Sequence, residues 1–367
     1  AENTAIAKLE YGLDPNGPEN LADLLCRSRD ADGNLDPNGE VLCVQGDALY
    51  DQTLDWAFIQ GSESSKFFAP KITADWMPND DMLVYLSWGR GQKPAGINQL
   101  GGAGTPIRIE DERFASEKLD AYEVGTKTTW EAAGLLQVNG AIFFQDYTDK
   151  QVSTQELVND QLRPKVINAA AAEVWGLELE LLYSPAAIDG LVLSAAYTHL
   201  DTAYKEFFDD TALLYRPAAA GSCEVVQKGE SFFCRMDLSG NNLERTPDNS
   251  FVGIFNLQRP FMSEPFDWFT EFNVTYQDER FVDADNFVKF DDFWLLDFRL
   301  GLAAEKWSVV AYVDNVTNDN TLKSGGSGPD FALQNQELGF IAGLGVQQFF
   351  GLLPQPRTFG VRLMMQF

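Results

Sequence analysis

Apolar and polar residues alternate at every second position through long stretches of this chain, and this constrains its fold more than any other feature. The segment Thr358–Phe367 shows the pattern clearly. Its apolar positions are Phe359, Val361, Leu363, Met365 and Phe367, and they are separated by Gly360, Arg362, Met364 and Gln366. Because successive side chains of a strand point to opposite faces, this period predicts strands with one apolar and one polar face. Such strands form soluble sandwiches or membrane barrels.

The alternation predicts eleven strands. They are Lys66–Trp76, Met82–Arg90, Lys118–Trp130, Leu135–Asp149, Val166–Tyr183, Leu191–Asp201, Asn249–Gln258, Trp268–Phe281, Val288–Ala303, Trp307–Asn315 and Thr358–Phe367. The connections between them alternate between short and long, with long ones at Gly91–Glu117, Lys150–Lys165, Thr202–Asp248 and Val316–Arg357 and one short exception at Val282–Phe287. Short periplasmic turns that alternate with long external loops are typical of outer-membrane barrels.

The chain has no run of about 18 consecutive apolar residues, the length that a membrane helix requires. A chain that spans a membrane without such helices must form a closed β-barrel, in which every backbone polar group pairs. We therefore predict an all-β, antiparallel transmembrane barrel with about 11 to 12 strands in this chain, the twelfth within Asp51–Gly61. Since bacterial single-chain barrels have even strand numbers, eleven strands predict half of a barrel of about 22.

Residues 1–65 precede the first predicted strand, and we expect them to form an external loop region, with the barrel strands in residues 66–367. The chain begins at Ala1 without a start methionine or a signal segment, which indicates a mature product or a piece of a longer protein. Its formal net charge of −28 argues against nucleic acid as a partner. A solubilising surface explains this charge, and acidic loops that bind divalent cations are the alternative.

One acidic stretch within residues 30–40 could hold a cation. Asp30, Asp32, Asn34 and Asp36 place oxygen ligands at alternate positions, as Ca²⁺ binding requires. The stretch departs from the EF-hand pattern, because Leu35 replaces the glycine of that motif. We therefore predict a possible calcium site, with a solvated acidic turn as the alternative.

The four cysteines form two local pairs in loop-like sequence. Cys26 with Cys43, and Cys223 with Cys234, predict two disulfides that staple external loops in an oxidising compartment. Reduced structural cysteines are the alternative.

His199 is the only histidine of the chain and precedes Asp201 near the end of a predicted strand. A hydrolase barrel would need a Ser/His or Asp/His arrangement. A single histidine in an otherwise ordinary strand favours a structural role.

Several motifs together resemble the barrel of TonB-dependent outer-membrane receptors. They lie at Ala69–Trp76, Leu83–Asn98, Glu117–Lys127, Phe143–Gln151, Asn168–Glu180, Tyr312–Asp319 and Arg357–Phe367, in the order found in that family. Ala95 stands where a second glycine is common, which is a small departure. Within these motifs, Glu123, Lys127, Glu178, Glu180, Asp297 and Arg299 alternate with apolar residues, so we expect them to face the lumen.

The resemblance implies a receptor in the Gram-negative outer membrane that imports a scarce nutrient and performs no chemistry on it. The nutrient could be siderophore-bound iron, cobalamin, a glycan or a peptide, because the fold alone does not choose among them. The implied partners are outer-membrane lipid and lipopolysaccharide, the TonB energising complex and a plug domain with an N-terminal half-barrel, with a surface lipoprotein as a further candidate. The TonB-contacting segment and the plug have no counterpart in this chain. A barrel hydrolase, a passive porin and a translocator barrel are the alternatives.

Overall fold

The computed structural model describes residues 3–5, 61–98, 112–131, 133–158, 161–209, 224–228, 231–329 and 347–366. The regular elements among them are all β-strands. No helix in this part of the chain has the length and apolar character to cross a membrane.

Eleven strands form one continuous antiparallel sheet in which each strand pairs with its neighbours in the sequence. We number them β1 (Lys71–Asn79), β2 (Met82–Lys93), β3 (Glu117–Trp130), β4 (Gly134–Val158), β5 (Gln161–Pro185), β6 (Leu191–Asp209), β7 (Asn249–Pro260), β8 (Asp267–Gln277), β9 (Phe293–Ala303), β10 (Trp307–Asp314) and β11 (Thr358–Met365). The all-β meander and its eleven strands agree with the prediction.

Five further pairs of short strands occur in the described residues. The pairs are Asn3–Ala5 with Gly61–Glu63, Gly96–Ile97 with Arg113–Phe114, Glu224–Lys228 with Ser231–Asp237, Arg280–Phe281 with Lys289–Phe290, and Gly325–Pro329 with Gln347–Gly351. The predicted external region 1–65 lies largely outside the described residues, so its boundary stays a prediction.

Three predicted connections were wrong. The segments at Lys150–Lys165 and after Asp201 continue as strand, because β4 and β5 pair through Val158 and Gln161 and β6 runs on to Asp209. Residues 278–292, which include the predicted short exception, form a long connection with its own strand pair. The prediction had assigned the two halves of that pair to the ends of the flanking strands.

The two faces of the sheet differ in chemistry. Cross-strand register places one row of each strand on a common apolar face, where side chains such as Ile72, Val124, Ile142, Leu300 and Val361 are 47% to 72% exposed. Water-exposed apolar groups in such number are unfavourable for a soluble sheet, whereas lipid would cover them at no such cost. The sheet therefore has the surface of a membrane-spanning wall.

The turns that join β1 to β2, β3 to β4, β5 to β6, β7 to β8 and β9 to β10 lie at one edge of this wall, which we call the turn end. The other connections, including the short one between β4 and β5, lie at the opposite edge, the loop end. β4, β5 and β6 contain 25, 25 and 19 residues, whereas about 9–11 residues span a bilayer. These three strands therefore extend beyond the membrane at the loop end, where neighbouring connections contact them.

Candidate functional site

The charged residues predicted to face the lumen share one face of the sheet. Register pairs Lys127 with Asn139 and Asn139 with Glu180, and it pairs Arg299 with Glu271. The Arg299 guanidinium forms an ion pair with Glu271 at 2.7 Å between Nη1 and Oε1. The prediction that these side chains project together from the polar face is confirmed.

Aromatic rings on this polar face lie over glycines of the neighbouring strand. Tyr85 covers Gly125, Phe143 covers Gly176, Phe269 covers Gly301 and Tyr312 covers Gly360, each directly across the register. A Cβ at any of these glycines would lie 2.1 to 2.7 Å from a ring atom. The glycines therefore leave the space that the rings fill, and each pair fixes the register of two strands.

A cavity of about 300 Å³ opens on the polar face between β4, β5, β6 and β7. Glu180 and Asn139 form its polar side, where the Asn139 amide donates to Glu180 at 3.1 Å. Val252 and Ile254, each 40% exposed, form its apolar side. Apolar side chains are thus exposed on an otherwise polar face.

At the loop end, side-chain amides hydrogen-bond the backbone of neighbouring segments. Asn98 is buried and pairs with the backbone of Val166 in both directions, at 2.8 Å and 2.7 Å, as a peptide group in a strand would. Its backbone N–H also donates to Glu112 O at 2.8 Å. This arrangement joins the two ends of the 99–111 segment to each other and to β5.

Two further amides complete this clip. Gln151 donates to the carbonyls of Pro94 and Ala115, at 2.8 Å and 3.0 Å, while Glu117 accepts from its backbone N–H at 2.7 Å. Asn168 pairs with the backbone N–H and carbonyl of Ala115 at 2.5 Å and 2.9 Å. We call Asn98, Gln151 and Asn168 the amide clip.

The connection after β10 is anchored in the same way. Asn315 is buried, donates to the carbonyls of Asp319 and Gln355, and receives the Asp319 N–H. Lys323 Nζ donates to Asp319 Oδ1 at 2.8 Å. Burial alone would raise the pKa of Asp319, but hydrogen bonds from Lys323 and Thr321 outweigh it and hold the pKa below its usual value.

A small hydrophobic cluster stands above the spanning wall. Val152, Ala172, Tyr204, Phe207 and Leu238 are its buried members. The Tyr204 hydroxyl donates to Glu244 at 2.6 Å, and two backbone hydrogen bonds join residues 238–240 to β6. The cluster packs the 235–248 segment against the polar face of the extended strands, and therefore over the mouth of the lumen.

Neighbouring loops are joined by hydrogen bonds. Asn242 and Asn286 exchange backbone and side-chain bonds at 2.7 Å and 2.9 Å, and Arg245 N donates to Phe281 O at 2.8 Å. Arg280 reaches the third loop through the Lys323 carbonyl. Segments 235–248, 278–292 and 315–325 thus form one connected rim.

A cavity of about 430 Å³ lies in this rim, with Asp248, Asp278, Arg280 and Lys289 among its lining residues. Burial, followed by the charge of Asp278, raises the pKa of Asp248, and burial lowers the pKa of Arg280. Arg280 is 8% exposed, and its Nη1 has no hydrogen-bond partner among the described residues. The cavity therefore offers both carboxylates and a guanidinium to a solute at the loop end.

The structure does not test the predicted calcium site or the predicted disulfides. Asp30, Asp32, Asn34 and Asp36, with Cys26, Cys43 and Cys223, lie outside the described residues. Cys234 is opposite Val225 in a strand pair. The calcium site and both disulfides stay predictions. In the described part of the chain, no group of three or more histidine, cysteine or carboxylate residues has the arrangement of a metal site.

His199 lies on the apolar face, and its Nδ1 is 3.0 Å from Asn249 Oδ1. The same oxygen accepts from the Tyr197 hydroxyl at 2.6 Å. The hydrogen-bond partner of the imidazole is thus an amide oxygen.

Sequence reasoning did not identify the amide clip, although its three members lie in the quoted motifs. Their partners are between 14 and 68 positions away, so spacing along the chain carries no signal of the contact.

The chain matches the model of the family described as "TonB dependent receptor-like, beta-barrel" over residues 45–316. The pesticin receptor of Yersinia pestis is 29% identical over 146 residues, which cover 38% of this chain and 20% of that receptor. The pesticin receptor of Yersinia enterocolitica is 28% identical over 145 residues, with the same coverage. The chain thus spans about a fifth of the length of the curated relatives that it matches.

Solved structures share the fold. The ferric yersiniabactin uptake receptor from Yersinia pestis superimposes with a TM-score of 0.59 at 20% identity, covering 84% of this chain and 39% of that one. A siderophore receptor from Acinetobacter baumannii gives a TM-score of 0.58 at 14% identity, covering 86% and 38%. With the apolar wall, the polar inner face and the matched residues, these findings establish that the chain belongs to the TonB-dependent receptor family of Gram-negative outer-membrane β-barrels.

Proposed function

We propose that this chain forms part of a receptor for the active uptake of a scarce nutrient, and that the nutrient is iron bound to a siderophore. The observation that carries the proposal is the rim of connected loops over a polar lumen, which provides a fixed external surface for a dilute solute. The family match supports the receptor class. The relatives named for yersiniabactin and siderophores support the nutrient.

The polar face supports a plug domain as the partner that fills the lumen. Glu178 and Glu180 are exposed carboxylates there, and Val252 and Ile254 offer apolar surface beside them. A plug surface with basic groups next to an apolar side chain would complement both features. TonB would then act on the plug from the periplasm.

The rim cavity supports a solute with charged oxygen groups. The buried Arg280 could donate a hydrogen bond from Nη1 to a carboxylate or phenolate oxygen of the chelate. The carboxylates of Asp248 and Asp278 disfavour a purely anionic solute and favour one that also carries a cationic or hydrogen-donating group. The amide environment of His199 gives no support to a hydrolytic role.

Uptake of radioactive iron by cells that produce the complete receptor tests this proposal. We expect saturable accumulation of ferric siderophore that stops when TonB is absent or the proton gradient is collapsed. Arg280→Gln should weaken binding of the chelate to whole cells by about tenfold, the cost of one charge-assisted hydrogen bond. Arg245→Gln, in the same rim, is the matched control because its side chain does not line the cavity.

Uptake that persists without TonB would contradict active transport and favour a passive porin. Energy-dependent uptake of cobalamin, glycan or peptide, without any siderophore among the accepted solutes, would retain the receptor class and overturn the proposed nutrient.

A further inference from the structure

An apolar groove lies on the outward face near the periplasmic ends of β3, β4 and β5. Its volume is about 280 Å³, and its lining residues are Trp130, Ala133, Gly134, Leu136, Leu181 and Tyr183. Trp130 is opposite Leu136, and Leu136 is opposite Tyr183. Two amphipathic aromatics at the same level of the wall are typical of the membrane interface, so the groove opens to the periplasmic leaflet.

Backbone contacts fix the two turns that border the groove. The Ala186 N–H in the β5–β6 turn donates to Ala133 O in the β3–β4 turn at 3.0 Å. Gly134 has a φ of 116°, and a Cβ there would lie 2.2 Å from Ser184 O. Only glycine permits this approach of the two turns. Main-chain geometry therefore fixes the two turns that border the groove relative to each other.

A cationic group lies beside the β5–β6 turn on the same outward face. Arg259 is opposite Trp268, and its Nε donates to Asp189 O at 3.0 Å, so its side chain is directed toward this turn. No carboxylate in the described part of the chain forms an ion pair with Arg259. The terminal N–H groups of its guanidinium are thus available to an anion at the level of the lipid headgroups.

We propose that the groove and Arg259 form a binding site for a phospholipid of the periplasmic leaflet. One acyl chain lies in the groove between Trp130 and Tyr183, and the headgroup phosphate binds the Arg259 guanidinium. The chemistry of the site supports this occupant, because the apolar groove and the outward Arg259 cation both contact the β5–β6 turn, the groove through Ala133 and the cation through Asp189 O. The site is separate from the rim and does not depend on which nutrient the receptor imports.

Native mass spectrometry of the complete receptor, released from membranes in mild detergent, tests the site. We expect retained phospholipid on the wild-type protein, and a loss of about fivefold in Arg259→Gln, the cost of one cationic contact with a headgroup. Leu181→Trp, which fills the groove, should also lose the lipid. Leu300→Trp places the same side chain on the outward face of β9 and should retain it.

Heat-dependent mobility on gels checks that all four proteins are folded, and Arg259→Gln removes no packing in the groove. Equal phospholipid retention in the wild type and all variants would overturn the proposal. Retention of lipopolysaccharide in place of phospholipid would also overturn it, since that lipid belongs to the external leaflet.

Discussion

The ring of Tyr85 occupies the space above Gly125 where a side chain would otherwise begin. A Cβ on Gly125 would lie 2.5 Å from the Tyr85 hydroxyl oxygen, which itself donates to Glu123 at 2.6 Å. The glycine, the ring and the carboxylate therefore act as one unit that sets the register of β2 against β3.

We expect Gly125→Ala to destabilise the barrel by about 1–3 kcal/mol, because the ring must leave its position or the strands must separate. Gly89→Ala is the matched control on the same face, since its nearest neighbour, a Lys71 side-chain carbon, would be at an ordinary 3.7 Å. Unfolding in urea, followed by tryptophan fluorescence, measures both. Equal stability of the two variants would show that the ring can move away freely.

Removal of the Asn98 amide should open the base of the first long external loop. Asn98→Ala leaves the Val166 backbone without two partners, at a cost of about 1–3 kcal/mol of local stability. Faster hydrogen exchange at the Val166 amide would report this change. Asn139→Ala, which removes one exposed amide contact on the lumen face, should leave exchange at Val166 unchanged.

The small hydrophobic cluster should unfold separately from the membrane wall. Phe207→Ala empties a buried site, and we expect a loss of about 3–5 kcal/mol in the stability of the 235–248 segment. Exchange should accelerate at Leu238 and Gly240, whose amides donate to Phe207 and Tyr204 carbonyls. Amides of β8 and β9 should keep their protection, and their simultaneous loss would show that rim and wall unfold together.

The anchor at Asp319 should depend on pH. Because the pKa of Asp319 is lowered in the folded chain, its contribution to stability is complete above the unfolded pKa of about 3.9 and is lost as pH falls through the lower, folded value. Protection of the Thr321 amide, which donates to Asp319 Oδ1, should therefore decline only in strong acid. In Lys323→Met the decline should begin at higher pH, and an unchanged profile would contradict the role of Lys323.

The two faces of β9 should respond differently to charge. Leu300 faces outward and Leu295 faces the lumen. We expect Leu300→Lys to cost about 2–4 kcal/mol near the bilayer midplane, while Leu295→Lys costs far less. Folding into lipid vesicles at graded urea concentrations measures both variants, and equal costs would contradict this assignment of faces.

Periodicity was sufficient for the wall, since each of the eleven predicted strands corresponds to one of β1 to β11. It failed where a strand leaves the membrane. Residues beyond Asp201 in β6 turn away from simple alternation because a bulge between Tyr204 and Glu206 shifts their register. Alternation along the sequence does not reveal such a bulge, because one extra residue exchanges the two faces of the strand.

The amide clip was even less accessible from the sequence. Asn98, Gln151 and Asn168 could be recognised as motif residues, but their role depends on carbonyls and N–H groups that any residue type presents. Hydrogen bonds to backbone groups do not constrain residue composition or spacing, so the sequence does not reveal them. The charged lumen residues could be predicted from the sequence, because the alternation of polar and apolar faces applies in the same way to every strand.

The amide clip also bears on how such a receptor can diversify. The Asn98 N–H donates to Glu112 O at 2.8 Å, so the two residues that flank the thirteen positions from 99 to 111 lie next to each other. An inserted or exchanged segment of different length would meet the same two attachment points and would not transmit tension to β2 or β3. The receptor could thus acquire a new recognition surface by cassette replacement, while the insertion-competent wall below it stays constant.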